Sequence, residues 1–371
     1  MPMPPSDEGL LTVRDFLRFA LSSFRAAKLV HGHGASNALD EAAFLILETL
    51  NLPVDDINPW LAARLTLEER GRVGEIIRLR IETRKPAAYL TGRTYIHGIP
   101  FHVDERVIVP RSFIGELMFS DTFPNLVSPD GVASVLDLCT GSGCLAVLAA
   151  LKFPEAAIDA IDISADVLDV ARINVSEHGL QDRVRLLQGD LFAPLGDATY
   201  DLILCNPPYV AAAEIAAFPP EYAHEPVLAH AGGEDGLDLV RRILTGVLPH
   251  LKSGGGLLCE IGTGRDLLEA EFPGLDFLWL DTEESEGEVF WLTRDALAAC
   301  IAARAAVLAY GLRTSCAARS RSFRKAAPQI RTMELPIVAQ VGLPAAGLVA
   351  YLFRHWWWPP GPESDNPLLA A

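Results

Sequence analysis

Basic residues are scarce over most of this chain. Its 371 residues carry 31 Lys and Arg against 48 Asp and Glu, a net charge of −17. The deficit is uneven. Residues 301–371 hold eight basic and three acidic residues, so the first 300 hold 23 against 45. A body that acidic repels naked nucleic acid at long range unless a basic groove offsets it, and a basic protein partner suits its sign better. Cys-x-x-Cys pairs are missing too. Cys139, Cys144, Cys205, Cys259, Cys300 and Cys316 stand apart, which argues against a zinc ribbon or a thioredoxin-type site. Several lie in apolar runs, where a free thiol packs as a small hydrophobe. That usage fits a reducing, cytoplasmic compartment. Met1 to Gly9 shows no basic-then-apolar leader. His31 and His33 have no carboxylate or cysteine at ligand spacing, so no metal site is expected. No internal repeat is evident.

What is present reads as a globular chain long enough for two domains. Residues 1–85 are expected to be helical. Arg14 to Leu29 sets Phe16, Leu17, Ala20, Leu21, Phe24 and Ala27 near helical spacing, and Asp40 to Leu50 continues it. Leu52-Pro53 and Asn58-Pro59 break the pattern, and Thr66 to Glu69 has capping-box spacing for a helix running to about Thr83. In residues 86–110, the aromatic, β-branched and Gly-interrupted stretch Tyr89 to Pro110 predicts a hairpin linker. Residues 111–294 alternate strand and helix. Strands are expected at Ser134–Leu138, Ala157–Ile163, Val184–Gln188, Tyr200–Cys205, Gly255–Ile261, Asp276–Leu280 and Glu288–Leu292. Helices are expected at about 143–152, 164–178 and 236–251. This is an α/β pattern with a mostly parallel seven-stranded sheet, which binds ligands beyond the carboxyl ends of its strands. Residues 295–371 form a basic and apolar tail. Ala296 to Tyr310 is a helix candidate. Leu335 to Phe353 is nineteen residues without formal charge, followed by Arg354, His355 and three tryptophans. That length is marginal for a membrane span, and Pro336, Gln340 and Pro344 interrupt it. The expectation is a dispensable extension, with no membrane anchor.

Two local motifs carry chemistry. In Val135-Leu136-Asp137-Leu138-Cys139-Thr140-Gly141-Ser142-Gly143-Cys144 a strand ends in a Gly-rich turn that opens a helix, which lets a ligand approach the backbone. Asp162 follows the second strand, where a carboxylate can accept ribose hydroxyls. Gly141-x-Gly143-x-x-Ala146 with Asp162 also fits a dinucleotide fingerprint, so NAD stays open on these residues alone. Two acids favour S-adenosylmethionine instead. Asp137 sits where a carboxylate can hold the methionine end, and Asp190, followed by Leu191, can meet the adenine amine. A pyrophosphate is disfavoured by acids so close. The donor-side candidates are therefore Asp137, Thr140, Gly141, Gly143, Asp162, Asp190 and Leu191, with Asn206 beside them.

The second motif decides between these readings. The strand Tyr200–Cys205 runs into Asn206-Pro207-Pro208-Tyr209. An amide or aromatic-amine nitrogen is a poor nucleophile because its lone pair is delocalised. Two acceptors placed for its two N–H bonds push that lone pair toward sp³ geometry. The Asn206 side-chain oxygen can be one acceptor and the Pro207 carbonyl the other, held rigid by the prolines. Tyr209 can pack on the flat face of the group. Catalysis is then positioning and preorganised electrostatics, with no obligatory general base.

These residues resemble the protein-glutamine N5-methyltransferases, through residues 137–144, Asp162-Ile163-Ser164, Gly189-Asp190-Leu191-Phe192 and Asn206 to Val210. The resemblance covers about residues 11–294. It implies a class I (Rossmann-like) methyltransferase domain over 111–294, an N-terminal helical substrate-recognition domain over 1–85 and a hairpin linker between them. Within the family, Arg14 to Ala20, His31 to Gly34, Asp104 to Ser112 and Pro220 to Pro226 are similar to the branch that modifies a glutamine of large-subunit ribosomal protein three. The resemblance implies ribose binding by Asp162, adenine-side contact by Asp190, and the glutamine amide held by Asn206 to Tyr209. Cys139 stands where many methyltransferases carry glycine. Three other readings stay open: release-factor glutamine methylation, DNA adenine-N6 methylation, and a non-catalytic assembly factor. For the DNA reading, no basic target-recognition segment is evident in the core.

Overall fold

The computed structural model describes residues 9–128, 131–282 and 285–303. Three helices open it: α1 (Val13–Ala26), α2 (Ala38–Leu50) and α3 (Leu67–Thr83). The Thr66–Glu69 capping box forms, with Thr66 Oγ1 accepting from the Glu69 amide at 3.2 Å and Glu69 accepting from the Thr66 amide at 2.8 Å. Phe16, Ala20 and Phe24 of α1 bury against Leu45 and Ile46 of α2 and Val73 and Ile77 of α3. A buried ion pair sits inside this layer. Arg80 is fully buried, and its guanidinium meets Glu41 at 2.6 Å. His31 Nδ1 lies 3.1 Å from the same carboxylate.

A short helix, α4 (Ala87–Thr91), ends at Gly92 in the left-handed region. The hairpin that follows is narrower than Tyr89 to Pro110. It comprises β1 (Arg93–Ile96) and β2 (Ile99–His102), joined through His97 and Gly98, both at positive φ as a tight two-residue hairpin turn requires. Val103, Val107 and Val109 are β-branched because they are buried, together with Ala88 and Val170, and not because they pair.

The main sheet contains β3 (Ser134–Leu138), β4 (Ala157–Asp162), β5 (Val184–Gln188), β6 (Tyr200–Cys205), β7 (Leu251–Glu260), β8 (Leu278–Leu280) and β9 (Val289–Thr293). Their order is β5-β4-β3-β6-β7-β9-β8, parallel from β5 to β7 and antiparallel at β9 and β8. This is the class I methyltransferase sheet. Its central strands are mostly apolar, broken by single aspartates such as Asp137 and Asp201, because both faces are covered. The covering helices include α5 (Phe113–Phe119), α6 (Cys144–Lys152), α7 (Ala165–Glu177) and, after the short α8 (Ala212–Ile215), α9 (Asp238–Gly246) and α10 (Arg265–Glu271). β7 starts at Leu251, four residues before the expected Gly255, with a register shift against β6 between Tyr200 and Leu202. Register then sets the site. Leu138 pairs with Cys205 and Cys205 with Cys259, so the Gly-rich turn, Asn206 and Glu260 leave the sheet side by side.

Residues 294–303 are helical. No helix among the described residues is long and apolar enough to cross a membrane. The run Leu335 to Phe353 and the rest of the tail lie outside the described residues.

Candidate active site

The turn after β3 is built around two carboxylates. Asp137 is fully buried beneath it. One of its oxygens accepts from Thr140 Oγ1 at 2.5 Å and from the Ala146 amide at 3.0 Å. Burial outweighs those hydrogen bonds and pushes its pKa up to about 7. The other oxygen has no partner among the described residues. Asp162, at the end of β4, accepts from the Gly141 amide at 3.1 Å and the Ser164 amide at 3.0 Å, and burial raises its pKa. Gly143 must be glycine. Its φ is +79°, and an added Cβ would stand 3.1 Å from the Ala171 methyl. Cys139 itself takes a positive φ of 59°.

A cleft of about 250 Å³ opens beside this turn. Cys139, Thr140, Gly141 and Ser142 line one side, and Asn206, Pro207 and Tyr209 the other. Arg111 and Ser112, with Phe218, Tyr222 and His230, complete its wall. The Asn206 Nδ2 donates to the Arg111 carbonyl at 3.3 Å. Among the described residues nothing donates to the Asn206 Oδ1 or to the Pro207 carbonyl, so both remain available as acceptors. Tyr209 donates through its hydroxyl to Glu260 at 2.9 Å.

The sequence-predicted residues do not all converge. Thr140, Gly141, Asn206, Pro207 and Tyr209 line the cleft. Asp137 and Gly143 lie under or behind the turn, and Asp162 braces it. Asp190 is half-exposed and paired with Arg242 at 2.7 Å, while Leu191 is buried beside it. Two acidic residues that sequence reasoning misses stand behind the walls. Glu225 is buried and clasps Arg111 in a fork at 3.0 and 2.9 Å, and it accepts from the Val109 amide at 2.9 Å. His230 Nε2 and His33 Nε2 lie 3.0 and 3.5 Å from its other oxygen. Burial alone would raise the Glu225 pKa; His230, His33 and Arg111 together hold it far below the usual carboxylate range. Glu260 is the second, with no cation within ion-pair distance among the described residues. Segments 104–112 and 220–226, two of the four that are similar to one branch of the family, are joined here by the Glu225 fork.

Residues 118–218 match the family model of the methyltransferase small domain. The chain is 54% identical over 289 residues to a ribosomal protein uL3 glutamine methyltransferase of Bradyrhizobium diazoefficiens, covering 76% of this chain and 91% of that one. It is 53% identical to the protein of the same name from Bordetella pertussis, covering 78% and 97%. The one from Burkholderia pseudomallei is 50% identical, covering 80% and 99%.

The chain belongs to the uL3 glutamine methyltransferase family.

The methyl donor of this methyltransferase is S-adenosylmethionine. The residues present fit that donor. The buried, unpartnered Asp137 oxygen is the kind of acceptor that a cationic ammonium satisfies. Space is open where Gly141 would carry a side chain, which lets a ligand come close to the turn of the methyltransferase.

Proposed function

We propose that this chain transfers a methyl group from S-adenosylmethionine to the side-chain amide nitrogen, N5, of a glutamine in ribosomal protein uL3, acting in the cytoplasm. The observation that carries the reading is the Asn206 amide. Its Nδ2 donates to the Arg111 carbonyl, which leaves its Oδ1 to accept, and among the described residues nothing donates to the Pro207 carbonyl. These two oxygens accept the two N–H bonds of the glutamine amide and localise the nitrogen lone pair. Tyr209 forms the wall of the slot.

The donor supplies an electrophilic methyl carbon on a sulfonium. Asp162 is the residue to hold its ribose, and Asp137 with the Thr140–Gly143 turn its methionine end. Asp190 and Leu191 are proposed for the adenine side, with Asp190 leaving Arg242 to do so. The glutamine nitrogen forms the N–C bond as the S–C bond breaks, and the nitrogen then loses one proton to solvent. No side chain is required as a base. The acidic body suits a basic ribosomal partner. Nucleic acid is not required by this chemistry.

The test is mass spectrometry of uL3 after incubation with enzyme and donor. One methyl on a glutamine is expected. Asn206→Ala should lower turnover by about 10²–10³-fold while largely sparing donor binding. Unmodified uL3, or full activity in that variant, would end the reading.

A further inference from the structure

Glu260 is nearly fully buried at the carboxyl end of β7, immediately behind the cleft. Three donors reach it from two walls. Tyr209 Oη donates to one oxygen at 2.9 Å. Ser112 Oγ and the Phe113 amide donate to the other at 2.8 and 3.0 Å. Ser112 and Tyr209 both line the cleft. Ser112 also follows Arg111, whose carbonyl takes the Asn206 amide. One carboxylate thus braces the acceptor wall and the turn that aims Asn206. The ring of Tyr209 is held on its other side by Gly262, where an added Cβ would stand 2.8 Å from it.

A buried carboxylate without a cation costs stability, and it persists where its hydrogen bonds set an arrangement. We propose that Glu260 is a positioning residue for methyl transfer: its ionised carboxylate holds Tyr209 and the Arg111–Phe113 turn so that the Asn206 oxygen meets the substrate amide. This rests on the function proposed above. The charge matters for a geometric reason. The ionised group accepts all three hydrogen bonds. The protonated group carries an O–H that itself needs an acceptor. The Phe113 amide can only donate, so Ser112 or Tyr209 must turn its hydroxyl around. The groups facing Glu260 are Tyr209 from the loop after β6, Ser112 from the start of α5 and Glu288 from the segment before β9. Arg111 acts on Tyr209, which itself donates to Glu260. Burial, with Glu288 adding to it, raises the pKa to about 7 against those hydrogen bonds.

The experiment measures kcat against pH at saturating donor and uL3, with donor affinity measured in parallel, for the wild type and Glu260→Gln. The wild-type kcat should fall as pH drops through about 7. Glu260→Gln should lose that dependence. Above pH 7 its kcat should be about tenfold to a hundredfold lower, with donor affinity unchanged. Its melting temperature there should rise, because the uncompensated charge is gone. A purely structural residue would lower activity and stability together and leave the pH profile in place. Glu260→Ala should lose more activity than Glu260→Gln; if it fails to fold, the Gln variant decides alone. An unchanged pH profile or unchanged kcat in Glu260→Gln overturns the inference and leaves the function intact. No glutamine methylation by the wild type overturns both.

Discussion

The two walls of the cleft are held by buried glutamates of opposite character. Glu225 grips Val109 and Arg111, and Glu260 grips Ser112 and Phe113, so together they hold four residues of the stretch 109–113. Both accept a backbone N–H and a side chain from it. The difference lies in what neutralises each charge. Glu225 has a forked guanidinium and two imidazoles, and it stays ionised through the neutral range. Glu260 has hydroxyls and an amide but no cation among the described residues, and burial pushes its pKa up to about 7. Two carboxylates in similar burial therefore do different work. One is a strut between the helical layer and the site, reaching His33 across the chain. The other is an adjustable brace within the site. Burial alone does not decide the state of a carboxylate; its partners do.

The contrast can be broken from either side. The largest effect expected is on the strut. Glu225→Ala leaves the Arg111 guanidinium without its forked partner and should destabilise the fold by about 3–5 kcal/mol in urea denaturation. A loss below 1 kcal/mol would mean that solvent screens Arg111 well enough to make the fork dispensable. Next, Asp162→Ala removes hydrogen bonds on the donor side, away from both walls. Donor affinity should drop by about 2–3 kcal/mol in calorimetric titration, with the wall residues undisturbed. Equal donor affinity in that variant would contradict its assignment.

The smallest effect sharpens the comparison through pH. The folded-state pKa of Glu260, about 7, lies above the ordinary glutamate value of 4.5, so the folded form binds the extra proton between them. The stability linked to this group is fully present below 4.5 and is lost as pH rises through 7. Glu225 has the opposite sign: its folded pKa is depressed, so its contribution is present above 4.5 and lost only in strong acid. The stability difference between Glu260→Gln and the wild type should therefore grow as pH rises from 6 to 8, reaching on the order of 1 kcal/mol. Asp137, also near 7, cancels in that difference. A pH-independent difference would remove Glu260 as the titrating group.

Much of the architecture is readable from local pattern. The Gly-rich turn after Leu138 and the Pro-Pro stop after Cys205 are marked by residues whose backbone freedom is unusual, and such marks survive without tertiary context. Strand alternation is readable because central parallel strands are mostly apolar. The hairpin is overextended on the page, since Val103, Val107 and Val109 are β-branched for burial. Glu225 and Glu260 are illegible for another reason. Each is one glutamate among 48 acidic residues, and its partners stand far off in sequence. Glu260 meets Ser112 across 148 positions. Glu41 and Arg80 pair inside the helical layer across 39 positions, equally unmarked.

The amino-acid order by itself determined the class I sheet, the Gly-rich turn and the Asn206–Tyr209 stop, because each is a short-range consequence of side-chain period, glycine and proline. Only the tertiary structure decided which acid braces which wall and which one titrates near neutrality. Those properties depend on desolvation and on partners brought together from distant segments, and neither exists until the chain is folded.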